Sequence, residues 1–262
     1  MFGFSRKESR SDSETIRVLT VADLHQRRSL YEQLETAVAL HQPNILALVG
    51  DFLNVWQHGG NFLSVEECAR RLNSLAAPEI VCVRGNHEDA NWLDFYPQRI
   101  ISLNGNAVAS GPLVIVGFPC LLGDESWFLE GSAGVSANAT EWFPKVARSY
   151  GSAARTLWLM HEPPSGTRLS VTTGPLAGND EWRHAIAKYA PLLVICGHDH
   201  QTPFRGGSWR ERVGQSWCLN AGQTRDTLHY FVIDIIFKGR NPSLASEMTA
   251  VYYPSGERLR VS

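Results

Sequence analysis

The sequence predicts an α/β fold built on parallel strands, and three observations predict it. Short, near-continuous apolar runs of the kind shown by strands covered on both faces alternate with segments of helical periodicity. Their order at the start of the chain is βαβαβ, which implies parallel strands, right-handed crossovers and helices covering the sheet. Most of the apolar runs lead directly into acidic, amide or histidine residues. A chain of 262 residues is long for one domain, yet an α/β sheet with insertions uses it all. Residues 16–262 are therefore expected to form a single domain behind a flexible lead over 1–15.

Ile16–Ala22 (IRVLTVA), Ile45–Val49 (ILALV) and Ile80–Val83 (IVCV) are the first three expected strands. Between them, Ser29–Leu40 sets Leu30, Leu34, Ala37 and Val38 on one helical face, and Val65–Leu75 does so with Cys68, Leu72 and Leu75. Ala107–Ala109 and Leu113–Val116 flank the breaker Ser110-Gly111-Pro112 and read as a hairpin. Residues 117–151 are loop-rich and carry Trp127, Phe128, Trp142 and Phe143, the composition of a cap or rim. Thr156–Met160 and Leu192–Cys196 are again apolar strands, separated by a Pro/Gly-rich loop and a helix bearing Trp182, Ile186 and Tyr189. Ser216–Leu219 and Tyr230–Ile236 are expected as antiparallel neighbours, and the tail from Lys238 has no decisive pattern.

Composition narrows the function class. Hydrophobic residues make up 44% and charged residues 19%, as in a soluble globular enzyme rather than a disordered, collagenous or coiled-coil chain. Lys plus Arg number 24 against 26 Asp plus Glu, for a net charge of -2. The basic footprint of a general nucleic-acid or anionic-membrane binder is missing, so neither is expected as a partner; a specific small phosphorylated substrate is left open by composition, as is a homo-oligomer. The five cysteines include no C-x-x-C and read as small buried hydrophobes of a reducing compartment. The opening MFGFSRKESRSDSET has no apolar stretch long enough for a signal peptide, so the expected location is the cytoplasm.

The chemistry sits at the strand ends. IRVLTVA runs into Asp23-Leu24-His25, ILALV into Gly50-Asp51-Phe52-Leu53-Asn54, and IVCV into Arg84-Gly85-Asn86-His87-Glu88. TLWLM runs into His161-Glu162 and LLVIC into Gly197-His198-Asp199-His200. The carboxyl ends of strands in an open α/β sheet line one crevice, so residues scattered in sequence converge there. Five of the nine histidines lie at these tips. Imidazole, carboxylate and one amide oxygen without thiolate suit Mn, Fe, Zn, Ni or Co as a catalytic ion, and suit neither a Cys-rich structural zinc nor an all-oxygen calcium site. Asp23, His25, Asp51, Asn86, His161, His198 and His200 are too many ligands for one ion. Two divalent ions about 3.5–4 Å apart, sharing one carboxylate and holding a hydroxide between them, would use them all.

The series D-x-H, GD-x-x-N, GNHE, H-E and GHDH, spanning Asp23 to about Asn220, resembles the calcineurin-like metallophosphoesterase superfamily. The resemblance implies a four-layer α/β/β/α sandwich with a two-metal site at the strand C-terminal ends. It assigns Asp23, His25 and His200 to one ion, Asn86, His161 and His198 to the other, and Asp51 to the bridge. His87 would face the substrate. The phrase His161-Glu162-Pro163-Pro164 followed by the GHDH loop is similar to the phosphodiesterase-like branch.

One departure bears on the substrate. Many phosphomonoesterases of the superfamily carry GD-x-x-D, whose second Asp orients and charges the histidine of GNHE; here Asn54 stands in that place. An amide oxygen accepts a hydrogen bond from imidazole but adds no charge, so it stabilises imidazolium less. Members with Asn there include enzymes acting on phosphodiesters. The expected reaction is therefore phosphodiester hydrolysis by a metal-bridging hydroxide, with His87 as proton donor and Asn54 orienting it. A phosphomonoesterase using the same site and a non-catalytic binding scaffold are the alternatives. Asp199 is expected at a turn or facing solvent, and Glu88 and Glu162 in loop or ligand-orienting hydrogen bonds. Arg27 and Arg28 are expected at a solvated helix start, with contact to a phosphate oxygen as the alternative.

Overall fold

Alternate side chains of a strand point to opposite faces, so a run that is apolar throughout must lie between two layers. In the computed structural model, which describes residues 13–53, 61–88, 99–103, 105–118, 144, 153–170, 178–238 and 245–262, the apolar runs are arranged in this way. One sheet contains β1 (Ser13–Val21), β2 (Ile45–Val49), β3 (Glu79–Val83) and β4 (Ile100–Ser102) in parallel. It is extended antiparallel from β1 by β11 (Tyr230–Lys238), β12 (Ala245–Tyr253) and β13 (Glu257–Val261), giving the order β13-β12-β11-β1-β2-β3-β4. The second sheet has the order β5-β6-β7-β8-β10-β9. Its parallel centre is β6 (Leu113–Phe118), β7 (Thr156–Met160), β8 (Leu193–Cys196) and β10 (Ser216–Asn220); β5 (Ala107–Ser110) and β9 (Arg210–Val213) are antiparallel edges.

Strand parity sorts the side chains into three cores. Ala47, Val49, Val81 and Val83 face Ile115, Leu157, Leu159 and Ile195 between the sheets. Leu46, Leu48 and Cys82 point the other way, against Leu30 and Leu34 of α1 (Arg28–His41) and Cys68 and Leu72 of α2 (Val65–Ser74). On the far side, Val114, Val116, Trp158 and Met160 meet Trp182 and Ile186 of α3 (Asp180–Tyr189). Each fully buried aliphatic or aromatic side chain contributes about 1.5–3 kcal/mol, so every layer is held by its own apolar face. The result is the α/β/β/α sandwich that the resemblance implies.

The structure also departs from the sequence expectations. β1 begins at Ser13, paired with Lys238, so residues 13–15 belong to the sheet and not to the lead. β10 and β11, expected as antiparallel partners, lie in different sheets: β10 runs parallel to β8 with Trp217 opposite Leu193, and β11 runs antiparallel to β1 with Ile233 opposite Val18. The physical reason is that Phe231, Ile233, Ile235 and Phe237 alternate into the core between the sheets from the β1 side. The tail forms β12 and β13. Most of the region expected as a cap (119–143 and 145–151) lies outside the described residues, as do Asn54, His58 and Cys120. The other four cysteines are buried free thiols. Among the described residues no helix is long and apolar enough to cross a membrane.

Candidate metal centre

The parallel strands of both sheets bring their carboxyl ends to a common edge, where the chain turns sharply. Asp23, His25, Asp51 and His198 have φ of 60°, 46°, 54° and 66°, a left-handed conformation that non-glycine residues seldom adopt. Such backbone costs about 1–3 kcal/mol per residue and persists only where its surroundings fix it. Here the Asp23, His25 and Gln26 amides donate to the carbonyls of Gly50, Asp51 and Phe52 at 2.9, 2.9 and 2.8 Å, and His198 N–H donates to the Asp23 carboxylate at 3.2 Å. The turns after β1 and β2 thus brace one another.

Gly85 is where this close approach admits no side chain. A Cβ there would lie 2.1 Å from Asp51 Oδ1 and 2.6 Å from Asp51 N. Gly85→Ala is therefore expected to displace Asp51 and lower metal content while the strands still form. Metal analysis and circular dichroism of the purified variant check this, and wild-type metal content would contradict it.

All seven expected ligands come together. Asp23, His25, Asp51 and His200 offer ligand atoms within 4.8 Å of one another, and so do Asp51, His161 and His198. His25 Nε2 and His200 Nε2 face each other at 3.0 Å, with His200 Nε2 3.3 Å from Asp23 Oδ1. On the other side, Asn86 Oδ1 lies 3.2 Å from His161 Nε2 and 3.1 Å from His198 Nδ1. Asp51 Oδ2 lies between the groups, 3.2 Å from His161 Nε2 and 3.8 Å from His25 Nε2. Two groups of donors that have Asp51 in common are thus present. His161 Nδ1 lies 2.9 Å from the Val49 carbonyl, which fixes the proton on Nδ1 and leaves Nε2 free to bind a cation. Converging imidazoles, two carboxylates and one amide oxygen, with no thiolate, form a donor set that fits divalent metal ions.

The electrostatics of the cluster favour added positive charge. Burial pushes the Asp51 carboxyl upward, but the nearby His161, His25 and His87 outweigh it and hold Asp51 below the usual carboxylate range. Burial likewise opposes the ionisation of Asp23, but His200 and His161 outweigh burial and hold this carboxyl low as well. Burial lowers His161, yet Asp51 and Asp23 carry it to about 10, whereas burial dominates at His25 and brings it to about 4. A raised pKa means that His161 holds a proton until pH approaches about 10, so a cation arriving near neutrality must displace that proton. Metal uptake is thus expected to release protons and to tighten as pH rises toward that value. Calorimetric Mn²⁺ titrations in buffers of different ionisation enthalpy measure this, and heats independent of the buffer would rule it out.

Buried residues beyond the ligands support their loops. The Glu88 carboxylate accepts from Asp51 N at 2.8 Å, Leu53 N at 2.9 Å and Gly85 N at 2.8 Å, so it ties the bridge loop to the Asn86–His87 turn. Burial, then the Asp51 charge, raise it to about 7. Asn220, at the end of β10, marks in the sequence only the limit of the resemblance. Its Nδ2 lies 3.2, 3.1 and 3.2 Å from the carbonyls of Leu169, Gly197 and Asp199, and its Oδ1 accepts from Gly222 N at 2.8 Å. Asp199 does not face solvent: it is fully buried and accepts from Gln201 N and Thr202 N at 2.9 and 3.1 Å, starting the turn into α4 (Thr202–Gly206). The Trp182 indole donates to Glu162 at 3.3 Å, which pins the His161 loop to α3.

His87 stands at the mouth. Its amide donates to Asp51 Oδ1 at 3.0 Å, its Nε2 lies 3.9 Å from Asp51 Oδ2, and its ring meets His25 edge-on with centroids 4.8 Å apart. The side chain is 26% exposed. Its Nδ1 is buried without a hydrogen-bond partner among the described residues, which do not include Asn54.

Comparison with known proteins agrees with this architecture. A dimetal phosphatase from Danio rerio superposes with a TM-score of 0.63 at 10% identity, covering 94% of this chain and 98% of that one. A Thermus thermophilus protein gives a TM-score of 0.56 at 16% identity (95% and 99% covered), and a calcineurin-like phosphoesterase from Bacillus subtilis gives 0.54 at 14% (92% and 90%). At such identities the likeness is one of fold. No curated protein matches the chain. The sequence model of the calcineurin-like phosphoesterases matches residues 16–202, well over half of the chain and the stretch that carries every residue of the centre, and the chain belongs to that family.

Proposed function

We propose that the protein hydrolyses phosphodiesters of small molecules with two divalent transition-metal ions, Asp51 being shared between them. The observation that carries this reading is the pair of donor groups that have Asp51 in common. Asp23, His25 and His200 would hold one ion and Asn86, His161 and His198 the other. When bound, the ions lower the pKa of a water and neutralise phosphoryl oxygens. The protein's own residues do the remainder. The braced turns after β1 and β2 fix the ligands, and the Val49 carbonyl keeps the proton of His161 on Nδ1. His87, partly exposed at the mouth, donates its Nε2 proton to the departing oxygen as the bond from phosphorus to that oxygen breaks and a water oxygen takes its place. Asn54 in place of a second Asp favours the diester. Four free buried cysteines support a cytoplasmic location.

The test is metal analysis of the purified protein together with hydrolysis of bis(4-nitrophenyl) phosphate and 4-nitrophenyl phosphate after loading with Mn, Fe, Zn, Ni or Co. Two ions per chain and faster hydrolysis of the diester are expected. A faster monoester would assign a phosphomonoesterase, and a metal-free, inert protein would assign a binding scaffold.

A further inference from the structure

The ligands assigned to one ion come from two sheets: Asp23 and His25 follow β1, and His200 stands after β8. Their ligand atoms nevertheless meet, with His25 Nε2 3.0 Å and Asp23 Oδ1 3.3 Å from His200 Nε2. Gln223, buried in the loop between β10 and β11, is bonded to both segments. Its main-chain N–H donates to the His200 carbonyl at 3.1 Å, and its side-chain Nε2 donates to the Ala22 carbonyl at 3.1 Å. The same peptide group donates through Asp23 N to the Gly50 carbonyl at 2.9 Å, so the link into the left-handed Asp23 is held at both ends.

The Gln223 amide has one orientation that fits. Oε1 accepts from His229 N at 2.9 Å and Thr224 N at 3.2 Å, and Nε2 also reaches the His229 carbonyl at 3.4 Å. Its donors face carbonyls and its acceptor faces N–H groups, so a flipped amide or a carboxylate would set oxygen against oxygen. The loop is also pressed against His200: Gly222 has φ of 58°, and a Cβ there would lie 2.7 Å from His200 O and 2.8 Å from Pro203 Cδ. We propose that Gln223 is a positioning residue, a clamp that sets the spacing between the Asp23–His25 segment and His200 and so tightens the ion that these residues hold. It acts through main-chain carbonyls, one step from the side chains that bind. This rests on the two-ion reading of the centre and adds a residue that makes one of the two ions dependent on the β10–β11 loop.

The test is Mn²⁺ titration of the purified protein, with the free ion read by electron paramagnetic resonance, for wild type, Gln223→Glu, His200→Ala and the two combined. Gln223→Glu keeps the shape and removes the donor to Ala22. It is expected to weaken one ion by about 10–100-fold, the usual cost of losing a group that orients a ligand, and to leave the other unchanged. In the His200→Ala background, where that ion is already lost, Gln223→Glu should change the remaining affinity no further. Equal weakening of both ions, an effect that persists in that background, or wild-type affinities in Gln223→Glu would overturn the clamp. Ser216→Ala, which removes a buried hydrogen bond to the Pro191 carbonyl at 2.7 Å, is the control for lost stability, and the same selective loss there would overturn it too. Gln223→Met, of similar length and without a repelling oxygen, gives the same comparison if the charged variant does not fold. Uptake of fewer than two ions by the wild type would sink the two-ion reading alone. The imidazole nitrogen shifts of the metal-free protein then decide: those of His25 and His200 should move in Gln223→Met while His161 stays, and no movement, or equal movement of His161, overturns the clamp.

Discussion

Asp51→Asn is expected to release at least one metal ion per chain and to lower turnover by about 10³-fold or more, the scale of several kcal/mol of lost transition-state stabilisation. Asp51 is the carboxylate common to both donor groups, and each of its oxygens is committed: Oδ1 accepts the His87 amide at 3.0 Å and Oδ2 faces His161 Nε2 at 3.2 Å. An amide has the same shape but puts an NH₂ where one oxygen was. Either orientation sets a donor against the His87 amide or toward His161, and both remove the negative charge that sustains His161 and would draw in the cations. Because the shape is kept, the fold should survive, and an unchanged circular dichroism spectrum separates loss of metal from unfolding. Full metal content with ordinary activity would rule out the shared-ligand assignment.

The ligands are legible in the sequence because each stands directly after a run that must be a buried strand. Once ILALV is a central parallel strand, Asp51 has one place to be. The same reasoning located Asn86 and His161, whose strands lie in different sheets and meet only because all parallel strands end on one side. What the sequence does not carry is backbone bracing. Glu88 is expected in loop or ligand-orienting hydrogen bonds and Asp199 at a turn, and both are found so, but which main-chain groups they tie together has no residue signature, and nothing in the sequence marks the role of Asn220. The pairing of β10 and β11 departs from expectation for a related reason: nearness in sequence is not nearness in the sheet, and the alternating Phe231, Ile233, Ile235 and Phe237 fit the face beside β1. β4 and β9 are edge strands of three and four residues, too short for a period to emerge, and the Arg-Glu-Arg of β9 has the polarity of a loop. In β12, Met248, Ala250 and Tyr252 turn inward between Glu247, Thr249 and Val251, an alternation too weak to read without the pairing to β11.

His87→Ala is expected to keep its metal content yet lose turnover by about 10²–10⁴-fold with leaving groups that need a proton, and far less with activated aryl leaving groups, which depart without one. The geometry separates this residue from the ligands. His87 Nε2 stays 3.9 Å from the nearer Asp51 oxygen, its side chain reaches solvent, and its link to the centre is through its main-chain amide, which alanine retains. A companion substitution, Asn54→Asp, probes what orients it. The buried Nδ1 of His87 has no partner among the described residues, and a carboxylate at position 54 within contact distance would accept from it and stabilise imidazolium. A raised pKa keeps the acid protonated to higher pH, so the alkaline limb of the kcat profile should move upward, even if the added negative charge repels substrate and slows the reaction. The measurement is kcat against pH for both variants on an aryl and an alkyl diester, with metal content followed in parallel. Equal slowing of the two leaving groups in His87→Ala would leave His87 a purely electrostatic role, and an unmoved alkaline limb in Asn54→Asp would mean that position 54 does not touch His87 and that the missing second Asp says nothing about the substrate.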